Sequence, residues 1–124
     1  MKQLMKLYEA ILYDREDMPQ VDDIPRAIKD MKEMGVEISR ERITPAEMKP
    51  SQTTLDMEKV ESIAKDISIK TMKPIVVSLD NHIVDGHHRW AGLKEAGHEN
   101  DKVPVYVIKL NRRMAIQTYN EVVK

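Results

Sequence analysis

Five consecutive residues, Asp85, Gly86, His87, His88 and Arg89, hold the densest chemistry in this chain. They follow a β-branched apolar run and precede a helical pattern, so the helix is expected to begin at His87. The first turn of a helix leaves backbone N–H groups without intrahelical partners, and the macrodipole adds partial positive charge there. Gly86 lets a ligand approach the backbone closely. Arg89 offers a planar guanidinium that can grip two oxygens of an anion, and His87 and His88 add donors. Together these features describe a phosphate-binding helix start. Asp85 has the opposite sign and needs another role: helix cap, magnesium ligand or proton acceptor. A transition-metal site built from His82, Asp85, His87 and His88 is disfavoured, because adjacent residues on a helix point about 100° apart.

Other residues offer less. Ser51 and Gln52 lie in a loop with prolines and can touch a nucleobase or ribose. Lys109, Arg112 and Arg113 form a basic cluster at the start of the last helix, suited to a nucleic-acid backbone or simply to solvent. Trp90 reads as core beneath the site helix in preference to base stacking.

The elements that must hold these residues follow from periodicity. Leu4, Leu7, Tyr8, Ile11 and Leu12 recur at helical spacing, and residues 14–20 form a polar break ending in Pro19. A second helix has Asp22 or Asp23 as cap, Pro25 in its first turn, and Ile24, Ala27, Ile28, Met31 and Met34 on its buried face, with Gly35 at the exit. Residues 36–44 alternate as a strand does, and 45–52 read as loop. Thr53 or Thr54 is the expected cap of a third helix, with Leu55, Val60, Ile63, Ala64 and Ile67 inside. Residues 74–79 and 82–84 read as a hairpin around the Asp80-Asn81 turn, delivering the chain to Asp85 and Gly86. After the site helix, which presents Trp90, Leu93 and Ala91 inward and ends at Gly97, residues 103–108 form a strand. Pro104 places it near an edge or at a strand start. Asn111 caps a last helix whose inner face is Ala115, Ile116, Tyr119 and Val123. The expected class is α+β, a small mixed sheet with packed helices, divided into an amino-terminal helical extension over 1–40 and a domain over 41–124.

Composition bounds what such a fold can be. The 124 residues are 41% hydrophobic and 33% charged, a balance suited to a globular protein, and 9 methionines with no Phe imply an aliphatic, adaptable core. No cysteine occurs, which excludes disulfides, thiolate metal sites and cysteine nucleophiles. The net charge of −1 argues against coating nucleic acid through bulk charge. The sequence has no apolar run long enough to span a bilayer and no secretory signal, so no membrane association and a cytoplasmic location are expected.

Residues 74–89, PIVVSLDNHIVDGHHR, followed by Trp90, Ala91 and Val103-Pro104-Val105, resemble the ParB/sulfiredoxin superfamily. The helix from Leu55 and the stretch Met48-Lys49-Pro50-Ser51-Gln52 resemble its opening segment, so the likeness spans roughly residues 42–108. It implies a ParB/sulfiredoxin-like fold in which this loop and helix start bind nucleotide phosphates. Sulfiredoxins carry a cysteine where His87 stands, so peroxiredoxin repair is excluded. Chromosome-partitioning ParB proteins carry a Gly-Glu-Arg-Arg type motif and bind CTP. Gly86 and Arg89 match it, while His87 and His88 replace the Glu and the first Arg. Those proteins continue into a helix-turn-helix domain, and this chain ends soon after Leu110, so segregation is not expected. The Asp-Gly-His-His-Arg form most resembles free-serine kinases and short phage or plasmid ParB-like proteins described as nucleases or ATPases. The kinases use an early glutamate as base. Here the comparable Pro50-Ser51-Gln52-Thr53 has no carboxylate, and Glu47 lies several residues early.

The resulting expectation is a nucleotide-binding domain that transfers phosphoryl groups to water, as an NTPase or nuclease. ATP or CTP with Mg2+ would be the cofactors. Gly86, His87, His88, Arg89 and Gln52 would hold the nucleotide, Asp85 the metal, and Asp85, His87 and His88 would carry catalysis. Nucleic acid would be met through Arg89, Lys109, Arg112 and Arg113, and a homodimer would form through the helical termini. Two alternatives stand beside it: a small-metabolite kinase using Glu47, and a non-catalytic module that engages nucleotide or a partner protein.

Overall fold

The computed structural model describes residues 23–52 and 54–123; the expected first helix, the polar break after it and Thr53 lie outside the described residues. Helix α1 (Ile24–Glu33) starts on Asp23, whose carboxylate accepts from the Arg26 N–H, with proline in the first turn as expected. Strand β1 (Ile38–Ile43) follows, then a single 3-10 turn (Pro45–Glu47). Helix α2 (Met57–Asp66) is capped by Asp56, not by Thr54: the Asp56 carboxylate accepts from Glu58 and Lys59 N–H. The hairpin is present as β2 (Ile75–Ser78) and β3 (Ile83–Asp85), turning through Asn81 at φ 65°. Helix α3 (His87–Glu95), strand β4 (Val103–Ile108) and helix α4 (Arg112–Val123) complete the chain, and Asn111 caps α4 by accepting from the Met114 N–H.

The four strands form one mixed sheet in the order β1-β4-β2-β3, with β4 antiparallel to β1 and parallel to β2, and β2 antiparallel to β3. β4 is therefore an inner strand, so of the two placements expected from Pro104 the strand start holds and the edge does not. Pro104 is tolerated because it faces only Arg42 of β1, and the parallel ladder with β2 begins one residue later at Val105.

Alternating strand residues separate two cores. Val76, Val84 and Ile108 pack with Ile24, Ala27, Ile28 and Met31 of α1 and with Ala115, Ile116 and Tyr119 of α4. Ile75, Val77, Ile83, Val105 and Val107 pack on the other face with Leu93 and Met48, joined by half-buried Trp90, Ile67 and Met72. The architecture is thus α+β, a mixed sheet with helices on both faces. α1, which the sequence placed in an extension over 1–40, shares its core with α4. Among the described residues, no helix is long and apolar enough to cross a membrane.

α2 and α3 meet at Gly92, where a Cβ would come within 2.7 Å of Ile63 Cγ2. That close approach seats the start of α3 against the chain preceding α2.

Candidate functional site

The start of α3 is built on Gly86, which occupies the N-cap position at φ 103° and, like any glycine, offers no side chain to cap the helix. The left-handed conformation turns the chain from β3 into the helix at a torsion that other residues adopt only with strain. Space selects glycine as well: a Cβ here would sit 2.8 Å from Arg89 Nη2 and 3.2 Å from Ile75 Cγ1. The Arg89 guanidinium therefore folds back across the helix start. Its Nη2 donates to the Pro74 carbonyl at 3.2 Å, while its Nε is buried with no hydrogen-bond partner among the described residues.

The two histidines do not present donors to a ligand through Nε2. His87 Nε2 accepts from the Ser51 N–H at 2.9 Å, and His88 Nε2 accepts from the Asp56 N–H at 3.1 Å. An accepting Nε2 in a neutral ring puts the ring proton on Nδ1. Both residues are buried, at 3% and 5% exposure, which is too little for solvated surface side chains. Burial, aided by the neighbouring His88, pushes the His87 pKa down to about 3, so the ring is neutral at ordinary pH. Trp90 Nε1 donates to the Pro45 carbonyl at 3.0 Å, and the ring packs on the second core as expected. Four successive side chains of α3 thus hold main-chain groups of Ser51, Asp56, Pro74 and Pro45.

Asp85 is 4% exposed, and its Oδ2 accepts from the Tyr119 hydroxyl at 2.9 Å. Burial and then the Asp85 charge raise the phenol's pKa above its ordinary value, so the hydroxyl stays a donor. Burial pulls the Arg89 pKa below its usual value, and the Asp85 charge opposes that shift. Sequence reasoning counted Tyr119 only as core. The signal that could have flagged it is general: a tyrosine on an inner helix face has to find a partner for its hydroxyl.

The remaining candidates fall in different places. Gln52 is buried and its Nε2 donates to the Thr54 carbonyl at 2.6 Å; Ser51 is fully buried, and its Oγ has no hydrogen-bond partner among the described residues. Glu47 caps the 3-10 turn, accepting from the Thr44 N–H and hydroxyl, which hold its pKa below the usual range. Lys109 pairs with Glu41 at 3.1 Å, and Arg112 lies near His82 at the hairpin turn. The Pro74 end of β2 adjoins Arg89, whereas its Ser78 end pairs with Ile108 and leads to Lys109 and Arg112. Arg89 and that basic cluster therefore occupy opposite ends of β2. No group of three or more His, Cys, Asp or Glu side chains capable of holding a metal ion gathers among the described residues.

Beside Arg89 opens a cavity of about 350 Å3, lined also by Lys73, Asp66, Ser68 and Thr71 and by the apolar Ile63, Ile67 and Met72. Of the residues of α3, only Arg89 lines this cavity. Residues 25–121 match the ParB N-terminal domain family, and the chain belongs to that family. Membership supports a module that binds DNA or a partner. No curated protein matches the chain.

Proposed function

We propose that this ParB-type domain is a nucleotide-binding module that takes phosphates at the start of α3. The observation that carries the reading is a helix start with no side-chain cap, crossed by the Arg89 guanidinium and opening beside a cavity. Backbone N–H groups and the guanidinium supply positive character for phosphate oxygens. The adjoining volume falls within the range of small-molecule sites, and its mixed lining of aliphatic residues, the Ser68 and Thr71 hydroxyls, Asp66 and Lys73 suits the polar and apolar parts of a nucleoside. The superfamily likeness of the Asp-Gly-His-His-Arg stretch points to the same ligand class.

Binding is better supported than turnover. Hydrolysis by an NTPase or nuclease would need a base among Asp85, His87 and His88. Yet both histidine Nε2 atoms accept from main-chain N–H groups, and Asp85 Oδ2 accepts from Tyr119. Asp85 also fits a magnesium ligand poorly, being buried and already bonded, so no step is assigned to a metal. The kinase alternative loses support because the Glu47 carboxylate is engaged by Thr44.

Calorimetric titration with ATP, CTP and ADP tests the proposal. Wild type binds at least one of them, and Arg89→Ala weakens that affinity roughly 10- to 100-fold, the usual effect of losing a charge-assisted contact. Absence of binding by the wild type to all three ends the reading.

A further inference from the structure

We propose that Tyr119 is a positioning residue for the α3 site, acting through Asp85 to hold the Arg89 guanidinium in place. The proposal rests on the nucleotide reading above for its function, but its structural basis is independent of any ligand.

Tyr119 lies on α4, which covers the opposite face of the sheet from α3. Its ring is fully buried with Ile24, Met31 and Val84, a setting that a phenylalanine ring would also fill. The hydroxyl is what packing does not require. It reaches Asp85 Oδ2, on the residue immediately before Gly86, across which Arg89 lies. A buried carboxylate needs donors and a compensating cation. Tyr119 supplies a donor, and the Asp85 charge in turn favours the charged form of Arg89.

Arg89 itself is held lightly by the protein. One nitrogen donates to Pro74, and Nε has no hydrogen-bond partner among the described residues. A guanidinium so placed is free to respond to any reorientation of the neighbouring carboxylate. With the Tyr119 hydroxyl present, one carboxylate oxygen is occupied from the α4 side. Without it, that oxygen becomes a buried acceptor lacking this donor, and the carboxylate turns toward Arg89, drawing the guanidinium from Pro74 and from the cavity. A residue on one face of the sheet thereby sets the geometry of an anion site on the other.

Two readouts on the full chain test this. The first needs no nucleotide: the Arg89 Nε–H resonance in a nitrogen-15 spectrum, resolvable because the atom is buried. Tyr119→Phe shifts it, and Asp85→Asn, which keeps an acceptor for the phenol but removes the charge, shifts it as well. An unchanged resonance in both folded variants overturns the proposal. The second readout is a double-mutant cycle on nucleotide affinity. Tyr119→Phe weakens binding about tenfold in the wild type and has no further effect in Arg89→Ala, as coupled residues behave. Equal effects in both backgrounds overturn it, since Tyr119 would then act on affinity by a route that does not pass through Arg89. Failure of the nucleotide reading is distinguishable, because it removes the second readout for wild type itself and leaves the resonance shift intact.

Discussion

On the α1/α4 face of the sheet, closure is almost entirely apolar, with Ile24, Met31, Ile108 and Tyr119 at 1% exposure or less. On the α2/α3 face, Leu93 and the strand residues make a comparable core, but the start of α3 is fastened by hydrogen bonds that His87 and His88 accept from the Ser51 and Asp56 N–H groups and that Arg89 and Trp90 donate to the Pro74 and Pro45 carbonyls. Apolar burial is non-directional and fixes that helices pack, not where a loop's atoms lie. Hydrogen bonds are directional, so the second face fixes the chain from Pro45 to Asp56 relative to the start of α3. One face mainly supplies stability; the other mainly supplies geometry. The Tyr119–Asp85 bond joins them.

The largest expected effect lies on the apolar face. Met31→Ala, at a fully buried position of α1, lowers unfolding stability by about 2–5 kcal/mol in urea titration, while nucleotide affinity of the folded fraction is unchanged. A clear affinity loss at 31 would break the division between the faces.

A smaller, pH-dependent effect belongs to the hydrogen-bonded face. His87 is neutral in the fold down to about pH 3, whereas in the unfolded chain it protonates near its ordinary value of 6.5. Below 6.5 the unfolded state therefore binds the extra proton, so stability falls as pH falls toward 3; above 6.5 the residue contributes no slope. The loss approaches about 1.4 kcal/mol per pH unit at most. His87→Gln, which retains an acceptor for Ser51, flattens the stability profile between pH 6 and 4. Identical slopes in wild type and variant would show that the ring is not held neutral.

The smallest effect compares the two faces through their caps. Asp23→Ala on α1 and Asp56→Ala on α2 each remove a carboxylate that accepts from first-turn N–H groups. Each costs roughly 1 kcal/mol in thermal unfolding. A much larger cost at 56 would mean that the cap also supports the loop held by His88, sharpening the contrast.

Much of this arrangement was legible before any coordinates. The hairpin, the turn at Asp80 and Asn81, the caps at Asp23 and Asn111, the inner face of α4 and that of α1 as far as Met31 all follow from local periodicity and capping chemistry, whereas Met34, expected inside, is the exposed C-cap residue of α1. The Gly86 helix start was legible for the same reason, because a glycine between a strand and a helical pattern marks the junction. Local rules failed where a partner came from afar. Thr54 and Asp56 are both acceptable caps by composition, and the structure uses Asp56, whose N–H is bound by His88 32 residues away. Pro104 left both an edge and a strand start open, and only the sheet decided for the start, because one proline does not reveal which neighbour begins its ladder a residue later.

By itself, then, the sequence determined the residue types at the site, the conformation demanded at Gly86 and the class of fold, since these depend on spacing within a few residues. The tertiary structure alone decided what the side chains do. It turned His87 and His88 from expected phosphate donors into acceptors for main-chain N–H groups, and gave the Tyr119 hydroxyl to Asp85. It also left Arg89 as the member of the motif that faces the cavity. The physical reason is that a buried polar group must find its partner in three dimensions, and hydrogen bonds spanning 15 to 45 residues leave no trace in local spacing.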